Sequence, residues 1–442
     1  MKSIQSPFDI DLLSNKREWI LFITISLLIF CIAIFIEYRN YKDFVEAKNI
    51  NAEVLLQYKK DSKYVLKLKS DNGSIFYTTS KDDLKDIRGR FVNIYGKATN
   101  DCTFYKYLRN CFFIGYSISL LHKREFAKNI IDYINSQHLS KTNNLDSALY
   151  IESKVFDEFN KNIFAQMYQS LFLAKPMPQD LRDITNIFGV AHIFAISGFH
   201  LGILSFVLYF FLKFPYRYFQ RNYFTYRNEF YDLNFVILIF AFIYLNILSF
   251  SPSFLRSFVM FAFGFFVLWK GLKLLSFKLL FACGILILSL FPRIFFSIAF
   301  WLSFSGIFYI YLYLKYFKLK NKLLYGVLLN IIVFLNMLPI SHYIFYDFSL
   351  YAILSPFITM LFIIFYPLVL ILHIFGFGGI FDNILSLILY INFSSFELQT
   401  PFWFLCIFLC VSFIAIFNKF VYYFSIFLSS LYFLYGFLKG VL

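Results

Sequence analysis

A run of apolar residues near the start of the chain is long enough to cross a membrane. It extends from Trp19 to Ile36 without a charged residue, follows Lys16 and Arg17, and precedes Glu37. About 20 such residues span the hydrocarbon core of a bilayer as a helix, and no small-residue cleavage site follows this run. We therefore predict an uncleaved transmembrane helix with a cytoplasmic N-terminus, so that the chain after Glu37 begins outside the cytoplasm.

The pattern then changes to short runs in which apolar and polar residues alternate, which is typical of half-buried β-strands. The predicted strands are Ala52–Tyr58, Tyr64–Lys69, Ile75–Thr79 and Arg90–Tyr95, with a fifth candidate near Thr103. Asp71-Asn72-Gly73 is a hairpin-turn signal, and Lys81–Ile87 is long enough for one short helix. A small barrel of the OB type fits these elements, and so does any compact antiparallel sheet.

Residues 105–186 have a helical, amphipathic pattern that Pro176 and Pro178 interrupt, and from Ala191 the chain is almost continuously hydrophobic. The predicted membrane spans are residues 191–212, 233–250, 254–269, 277–291, 294–314, 323–340, 348–372, 380–394, 401–417 and 420–437. The span at 380–394 is short, and a re-entrant segment is the alternative. The pattern predicts a polytopic α-helical membrane protein of about 10–11 transmembrane helices with an extracytoplasmic OB-like β-barrel domain.

Basic residues between the spans fix the predicted topology. They occur in three alternate loops, as Lys213, Arg217, Arg221 and Arg227, then Lys270, Lys273 and Lys278, then Lys315, Lys318, Lys320 and Lys322. The intervening turns contain only Arg256 and Arg293. Because cytoplasmic loops of membrane proteins are rich in Lys and Arg, the alternation places the basic loops in the cytoplasm and residues 37–190 outside it.

The composition excludes a soluble or disordered chain of this size. Hydrophobic residues make up 60% and charged residues 15% of the 442 residues, whereas a soluble domain has about 45–50% and about 25%. The net charge is +15, and residues 191–442 hold 15 Lys and Arg but only 5 Asp and Glu. Residues 233–346 contain no acidic residue, which suits a path for an anion.

The chain shows no enzyme motif. It has neither a phosphate-binding glycine-rich loop nor a paired-cysteine zinc pattern, and its six histidines are dispersed. We therefore predict no catalysis, no metal and no cofactor. Cys102 and Cys111, nine residues apart in the polar region, are a disulfide candidate if that region is extracytoplasmic.

Two polar segments interrupt the predicted spans. Ser197, Gly198 and His200 lie at the start of one span, where the alternatives are a tightly packed helix crossing and a polar constriction on a substrate path. Arg256 lies at the edge of another span, where it either extends to the outer interface or faces an anionic solute. Polar and small residues at several depths favour a lined cavity over a passive anchor.

The run from His192 to Gly202, with Ala-Ile-Ser-Gly-Phe-His at its centre, closely resembles the signature of ComEC-type competence proteins, the inner-membrane channels for DNA uptake. Shorter elements that resemble this family are Pro252–Arg256, Trp301–Phe304 and Pro339–Phe348. The resemblance implies a channel that translocates single-stranded DNA into the cytoplasm during natural transformation. Many members carry a metallo-β-lactamase-like domain with a His-x-His-x-Asp-His motif, and this chain resembles the short form without it.

Pattern and resemblance together predict five segments: residues 1–36 as the cytoplasmic N-terminus and first helix, 37–104 as the OB-like domain, 105–190 as an extracytoplasmic amphipathic helical region, 191–375 as the channel core, and 376–442 as C-terminal transmembrane helices. The DNA-path candidates are Ser197, Gly198, His200, Arg256 and Arg293, and the DNA-binding candidates in the barrel are Lys63, Lys67, Arg88 and Arg90. A disulfide between Cys102 and Cys111 suits the family as well.

The resemblance also implies partners. They are single-stranded DNA, membrane lipid, an extracytoplasmic DNA-receptor protein, a separate nuclease, and a cytoplasmic motor or strand-binding protein. Two other functions stay open, namely a secondary transporter or lipid-linked glycan exporter, and a membrane scaffold. The sequence shows no internal repeat and no intramembrane acid suited to proton coupling, which disfavours the transporter.

Overall fold

The computed structural model describes residues 15–60, 63–80, 87, 90–121, 125–138, 163–175, 177, 179–194, 196–248, 252–270, 276–389 and 394–441. These residues form two compact units. The barrel unit comprises the described residues within Leu12–Asp132 and Phe281–Ile298. The helical unit comprises the described residues within Tyr133–Leu280 and Ala299–Leu442.

The barrel unit contains a closed five-stranded barrel with the strand order β1-β2-β3-β5-β4. The strands are β1 Asn49–Lys60, β2 Lys63–Ser70, β3 Ile75–Ser80, β4 Phe91–Ala98 and β5 Cys111–Leu120. Strands β3 and β5 pair in parallel, and the other pairs are antiparallel. Alternate residues such as Val54, Leu66 and Phe76 are fully buried in the barrel core. The predicted OB-like barrel is therefore confirmed.

The predicted hairpin turn between β2 and β3 is present. Gly73 has a φ of +75°, and its backbone N–H donates to the carbonyl of Ser70 at 2.9 Å. A residue without a Cβ adopts this left-handed conformation at little cost, which explains why the turn ends in glycine.

Two helices accompany the barrel, α1 Lys16–Glu46 and α2 Phe104–Arg109. Helix α1 continues for ten residues beyond Ile36, the predicted end of the apolar run. Its last turns pack on the barrel, where the ring of Phe44 lies 5.5 Å from that of Phe76 and 5.7 Å from that of Phe113. Burial of this one face explains why the helix does not stop where the charged residues begin.

The prediction of a fifth strand near Thr103 is wrong, because Thr103 caps α2 and the fifth strand is β5. The barrel therefore extends past residue 104 into the segment for which only helices were predicted. The alternation on β5 is short: Cys111 and Phe113 are buried, and Gly115 then interrupts the pattern. Pairing with β3 and β4, which lie far away in sequence, decides the conformation of this segment.

The remaining helices are α3 Glu125–His138, α4 163–173, α5 Gln179–Ile187, α6 Ala191–Phe194, α7 Gly198–Tyr223, α8 Glu229–Ile247, α9 Pro252–Trp269, α10 Phe277–Leu290, α11 Ile298–Tyr316, α12 Lys322–Ile344, α13 Ser355–Ile374, α14 Asp382–Leu389, α15 Phe402–Ile414 and α16 Lys419–Val441. Short 3-10 helices precede α11, α13 and α14. Strands β6 Asp347–Phe348 and β7 Phe396–Glu397 form a small antiparallel pair.

Within the described ranges, seven helices are long and apolar enough to cross a membrane, namely α1, α7, α8, α11, α12, α13 with its preceding 3-10 turn, and α16. Helices α9, α10 and α15 are shorter apolar helices. The chain is therefore a multi-pass membrane protein, as predicted.

Two predicted spans differ from the structure. The span at 191–212 is not one helix, because the chain breaks at Ser197 between α6 and α7. In the described part of the segment at 380–394, a 3-10 turn precedes α14, and the 8 described residues of α14 rise about 12 Å. At Ser197 the break arises where polar groups take up hydrogen bonds that would otherwise be made within a continuous helix.

Candidate functional site

The break between α6 and α7 is built by Ser197 and His200. The Ser197 hydroxyl oxygen accepts a hydrogen bond from the backbone N–H of Phe199 at 3.3 Å. In return, Nδ1 of His200 accepts one from the backbone N–H of Ser197 at 3.2 Å. This reciprocal cap starts a helix in the way that a serine and a glutamate do in a capping box. The local sequence Ser-Gly-Phe-His is therefore a helix start.

The imidazole of His200 lies in an aromatic pocket and is 1% exposed. Its ring centroid is 4.8 Å from that of Tyr366 and 5.5 Å from that of Phe362, both on α13. Nε2 carries the ring hydrogen because Nδ1 accepts; it is buried and donates to no described residue within hydrogen-bond geometry, although the backbone of Ile193 lies close to the ring. Such a nitrogen costs about 1–3 kcal/mol, which makes His200 a candidate for function rather than stability.

Helix α9 lies against the start of α7. A Cβ placed on Gly198 would lie 3.2 Å from the hydroxyl of Ser257, so only glycine fits this contact without displacing its neighbour. Arg256, the residue before Ser257, is 7% exposed. A buried guanidinium contradicts the alternative in which this side chain extends to water at the membrane interface.

Helices α4, α8 and α13 complete the surroundings. The hydroxyl of Tyr244 donates to the carbonyl of Phe172 at 2.7 Å and lies within reach of the hydroxyl of Tyr366. Ser355, at the start of α13, donates to the carbonyl of Gly189 at 3.1 Å. We call the following residues the helix-break site: Ser197, Gly198, His200, Arg256, Ser257 and Tyr366.

Arg293 lies in the barrel unit and has its own partners. Its guanidinium pairs with the carboxylate of Glu37 and donates to the hydroxyl of Tyr107 at 3.0 Å. It also stacks on the Tyr107 ring, 4.9 Å from the centroid. Burial raises the pKa of Tyr107, which therefore stays neutral. The charge of Arg293 is therefore compensated by a residue of its own unit. The sequence instead predicts that this charge faces DNA on the path.

The basic candidates on the barrel follow the outer face of β2. Lys63 is exposed, and the ammonium of Lys67 lies 5.8 Å from the ring centroid of Tyr77. Lys69 faces Glu53 across the strand pair, and burial lowers the pKa of Lys69. Arg90 is exposed next to β4, whereas Arg88 and the helix predicted at Lys81–Ile87 lie outside the described residues, apart from Ile87.

Tyr95, which the sequence already offers as a ring for base stacking, forms an exposed aromatic pair with Tyr116 on β5, and this pairing was not predicted. Tyr95 and Tyr116 are 47% and 60% exposed, with ring centroids 6.0 Å apart. Neither β4 nor β5 contains an acidic residue, and Lys97 is exposed on the same face. The sequence does not predict that the two tyrosines are neighbours, because Tyr116 belongs to β5, which was expected to be helical.

Cys102 and Cys111 form a disulfide, with their Cα atoms 5.6 Å apart. The bond connects the residues on either side of α2 and thereby ties this helix to the start of β5. Disulfides persist in oxidising compartments, which fits the predicted extracytoplasmic position of the barrel.

A family model described as "Competence protein" matches residues 174–439, which is more than half of the chain. The chain belongs to the competence protein family. No curated protein and no solved structure matches it. The matched range includes every residue of the helix-break site, whereas the barrel precedes it. Membership indicates that this competence protein has a role in DNA uptake during transformation.

The described part of this competence protein contains no group of three or more His, Cys, Asp or Glu side chains arranged to hold a metal ion. The helix-break site instead combines one cation, two hydroxyl groups and an imidazole with aromatic walls. These groups can bind and orient an anion by charge and hydrogen bonding.

Proposed function

We propose that this competence protein is an inner-membrane channel that translocates single-stranded DNA into the cytoplasm, and that the strand passes the helix-break site. The observation that supports this most is the position of Arg256. Arg256 is buried on α9 and precedes Ser257, whose hydroxyl faces Gly198 at the start of α7, and it lies within residues 233–346, where the sequence has no acid. Charges inside membrane proteins are costly, and those that occur usually serve a transport path.

The chemistry of the site suits a phosphodiester backbone. A guanidinium binds phosphate oxygens through two parallel hydrogen bonds, and its attraction to the phosphate charge increases where water is excluded. Ser197 and Ser257 add hydroxyl groups, and His200 has an Nε2 atom without a hydrogen bond among the described residues. An acid-free stretch also spares the polyanion from repulsion along this part of the chain.

The barrel offers a first contact for the strand. Single-stranded DNA binds OB-type barrels through basic grooves and through aromatic rings on which bases stack. Lys63, Lys67 and Arg90 provide positive charge, and the Tyr95–Tyr116 pair provides rings that are free to stack. The proposal therefore assigns capture to the barrel unit and passage to the helical unit.

The experiment that tests the proposal measures fluorescent DNA in the cytoplasm of a deletion strain, scored separately from DNA that has reached the outer side of the inner membrane. We expect DNA to accumulate outside and to enter only when the wild-type gene is restored. We expect Arg256→Gln to restore at most about a tenth of entry, since a charged hydrogen bond contributes about 1.5–3 kcal/mol. Arg256→Lys should restore an intermediate level.

The matched control is Arg217→Gln. Arg217 is half exposed and pairs with Glu229 at 2.7 Å, so its loss should leave entry unchanged. Each variant must reach the abundance of the wild type in the membrane. Normal entry of DNA into the deletion strain would contradict the channel and would favour the secondary transporter or lipid-linked glycan exporter.

A further inference from the structure

A separate buried cluster, which we call the histidine cluster, brings together the ends of three helices. His138 is the last residue of α3, His373 lies in the last turn of α13, and Asp382 is the first residue of α14. Tyr168 of α4 covers them, with its ring stacked 4.9 Å from that of His138. All four residues are at most 6% exposed.

Three hydrogen bonds connect the cluster in a line. Nδ1 of His138 lies 2.7 Å from Oδ2 of Asp382, and Nε2 of His138 lies 3.1 Å from Nε2 of His373. At the far end, Nδ1 of His373 lies 2.8 Å from the carbonyl oxygen of Val369. Each imidazole is therefore held at one nitrogen, and the two remaining nitrogens face each other.

The donors and acceptors fix the number of protons. A carbonyl oxygen can only accept, so Nδ1 of His373 carries a hydrogen. Nε2 of a neutral His373 is then an acceptor, and Nε2 of His138 must donate to it. Nδ1 of His138 either donates to an ionised Asp382 or accepts from a protonated one. Both arrangements hold one proton in each of the three hydrogen bonds, and both have zero net charge.

We propose that His138, His373 and Asp382 form a proton-binding site whose proton holds α3 against α13 and α14. Removing that proton leaves two lone pairs facing each other over 3.1 Å beside an ionised carboxylate. Adding another places positive charge on both imidazoles. Because buried polar groups are costly when unpaired, only one protonation state makes all three hydrogen bonds of the line.

The surroundings do not compete for the proton. Burial, and then the charge of Asp382, raise the pKa of the Tyr168 hydroxyl, so Tyr168 stays neutral. The side chain of Gln137 is neutral, donates to the carbonyl of His373 at 2.9 Å and accepts from the N–H of Gly378 at 2.8 Å. In the part of the chain that the structure describes, the titratable groups that face the two imidazoles are thus Asp382 and Tyr168.

A proton fits this geometry better than a metal ion. Asp382 binds the outer nitrogen of His138, so only two nitrogens face inward, and no third ligand of suitable type accompanies them among the described residues. The site also adjoins the helix-break site, because the ring of Phe172 lies 5.1 Å from that of His373 and 6.1 Å from that of Tyr366. The inference rests on this geometry and does not depend on the proposed function.

The test is the unfolding equilibrium of the full chain in detergent, measured with denaturant between pH 6 and pH 9. Free histidine loses its proton near pH 6.5. Above that pH the unfolded chain has lost its proton while the folded cluster still holds one, so the stability falls as the pH rises until the folded cluster also releases its proton. We expect the folding equilibrium constant of the wild type to fall by up to about tenfold per pH unit there.

Two variants remove the need for the shared proton. In Asp382→Asn, the amide can donate to Nδ1 of a neutral His138, and in His373→Gln, the amide can donate to or accept from Nε2 of His138. Both should lack the alkaline loss of stability. The matched control is His342→Gln, because His342 is also buried and bonds the Leu338 carbonyl at 2.9 Å. This variant should keep the alkaline loss.

The proposal would be overturned if the folding equilibrium constants of wild type, Asp382→Asn and His373→Gln changed with pH in parallel. It would also be overturned if the constant of the wild type did not change with pH. If the variants do not fold, nitrogen NMR of the histidine-labelled wild type decides whether two histidine side chains share a proton. We expect a nitrogen–nitrogen coupling through the hydrogen bond between two histidine side chains near pH 7 and its loss near pH 9. No such coupling at any pH would exclude the shared proton.

Discussion

The two arginines that the sequence places in outer turns lie in stretches of the chain that differ in their acidic residues. Arg293, in the barrel unit, pairs with Glu37 and stacks on Tyr107. Arg256, in the helical unit, is buried where the sequence offers no acid between residues 233 and 346. The same residue type therefore fastens secondary-structure elements together in one unit, whereas in the other we propose that it attracts a ligand.

The difference shows that a buried charge must be judged by what the chain supplies around it. An ion pair neutralises an arginine where acids are near, and its main effect is then on stability. A cation in an acid-poor stretch of a membrane protein instead suits a mobile anion. Substitutions at the two arginines should accordingly affect different measurements.

The largest effect on stability is expected at Arg293. Arg293→Gln leaves the carboxylate of Glu37 partly buried, at 17% side-chain exposure, without its cation. We expect the barrel unit to lose about 3 kcal/mol of unfolding free energy, the lower end of the range for broken buried pairs. Denaturant unfolding of the full chain, followed by limited proteolysis of the barrel, measures this loss.

The control is the double variant with Glu37→Gln, which removes the orphaned carboxylate. It should recover more than half of the lost stability, because much of the cost comes from the unpaired charge. A loss below about 0.5 kcal/mol in the single variant would show that this pair does not stabilise the barrel.

The disulfide should have a slightly smaller effect. Replacing Cys102 and Cys111 by serine removes a nine-residue closure, which costs about 2–3 kcal/mol in the chain-entropy model. Unfolding of the wild type with and without reductant should differ by the same amount, and the serine variant should not respond to reductant. Peptide mass spectrometry that finds both cysteines as free thiols in untreated protein would contradict the bond.

Most of the barrel can be predicted because its information is local. Alternating residues and the Asp71-Asn72-Gly73 turn mark four of the five strands, although β4 does not end at Gly96, as its glycine predicts, but continues to Ala98. Strand β5 is the exception, since only Cys111 and Phe113 are buried on it. Its conformation depends on closing the barrel, which no window of sequence reveals.

The helical unit is predictable in its spans but not in its sites. The Ser-Gly-Phe-His segment indicates a close approach or a break, and the structure supplies the cap that makes it a break. The aromatic partners of His200 come from α13, more than 150 residues away, and the hydrogen-bond partners of His138 come from α13 and α14, more than 200 residues away. Hydrophobic periodicity cannot join such residues, because the long apolar helices are apolar on several faces.

A substitution in the Tyr95–Tyr116 pair tests the proposal that the barrel unit captures the strand and the helical unit passes it. Tyr116→Ala should weaken binding of a single-stranded oligonucleotide by about 1–2 kcal/mol, because it removes a surface on which a base can stack. The dependence of affinity on salt should stay the same, since no phosphate contact is lost. Fluorescence anisotropy with the purified full chain measures both quantities.

Tyr105→Ala is the matched control for this pair. Tyr105 is 61% exposed but packs edge-on against Phe296, 5.3 Å away, so its loss should leave the affinity unchanged. An abasic oligonucleotide should bind the wild type and Tyr116→Ala equally well. Equal affinity of both proteins for the normal oligonucleotide would remove the stacking role.

The smallest effect is expected at Gly198. Gly198→Ala places a methyl group 3.2 Å from the hydroxyl of Ser257, so Ser257 must rotate or α9 must shift by a few tenths of an ångström. We expect a loss of about 1 kcal/mol in stability and a fall of about fivefold in DNA entry, because the shift displaces the neighbouring Arg256. Entry in the complemented deletion strain and denaturant unfolding measure the two effects.

Gly202→Ala is the matched control on the same helix. A Cβ on Gly202 meets no described atom within 4 Å, and alanine favours a helix over glycine by about 1 kcal/mol. This variant should therefore keep normal entry and gain stability. If both glycine variants lower entry equally, flexibility of α7 matters rather than its approach to α9. If Gly198→Ala alone lowers entry while its abundance in the membrane is normal, the contact with Ser257 positions Arg256 for the strand.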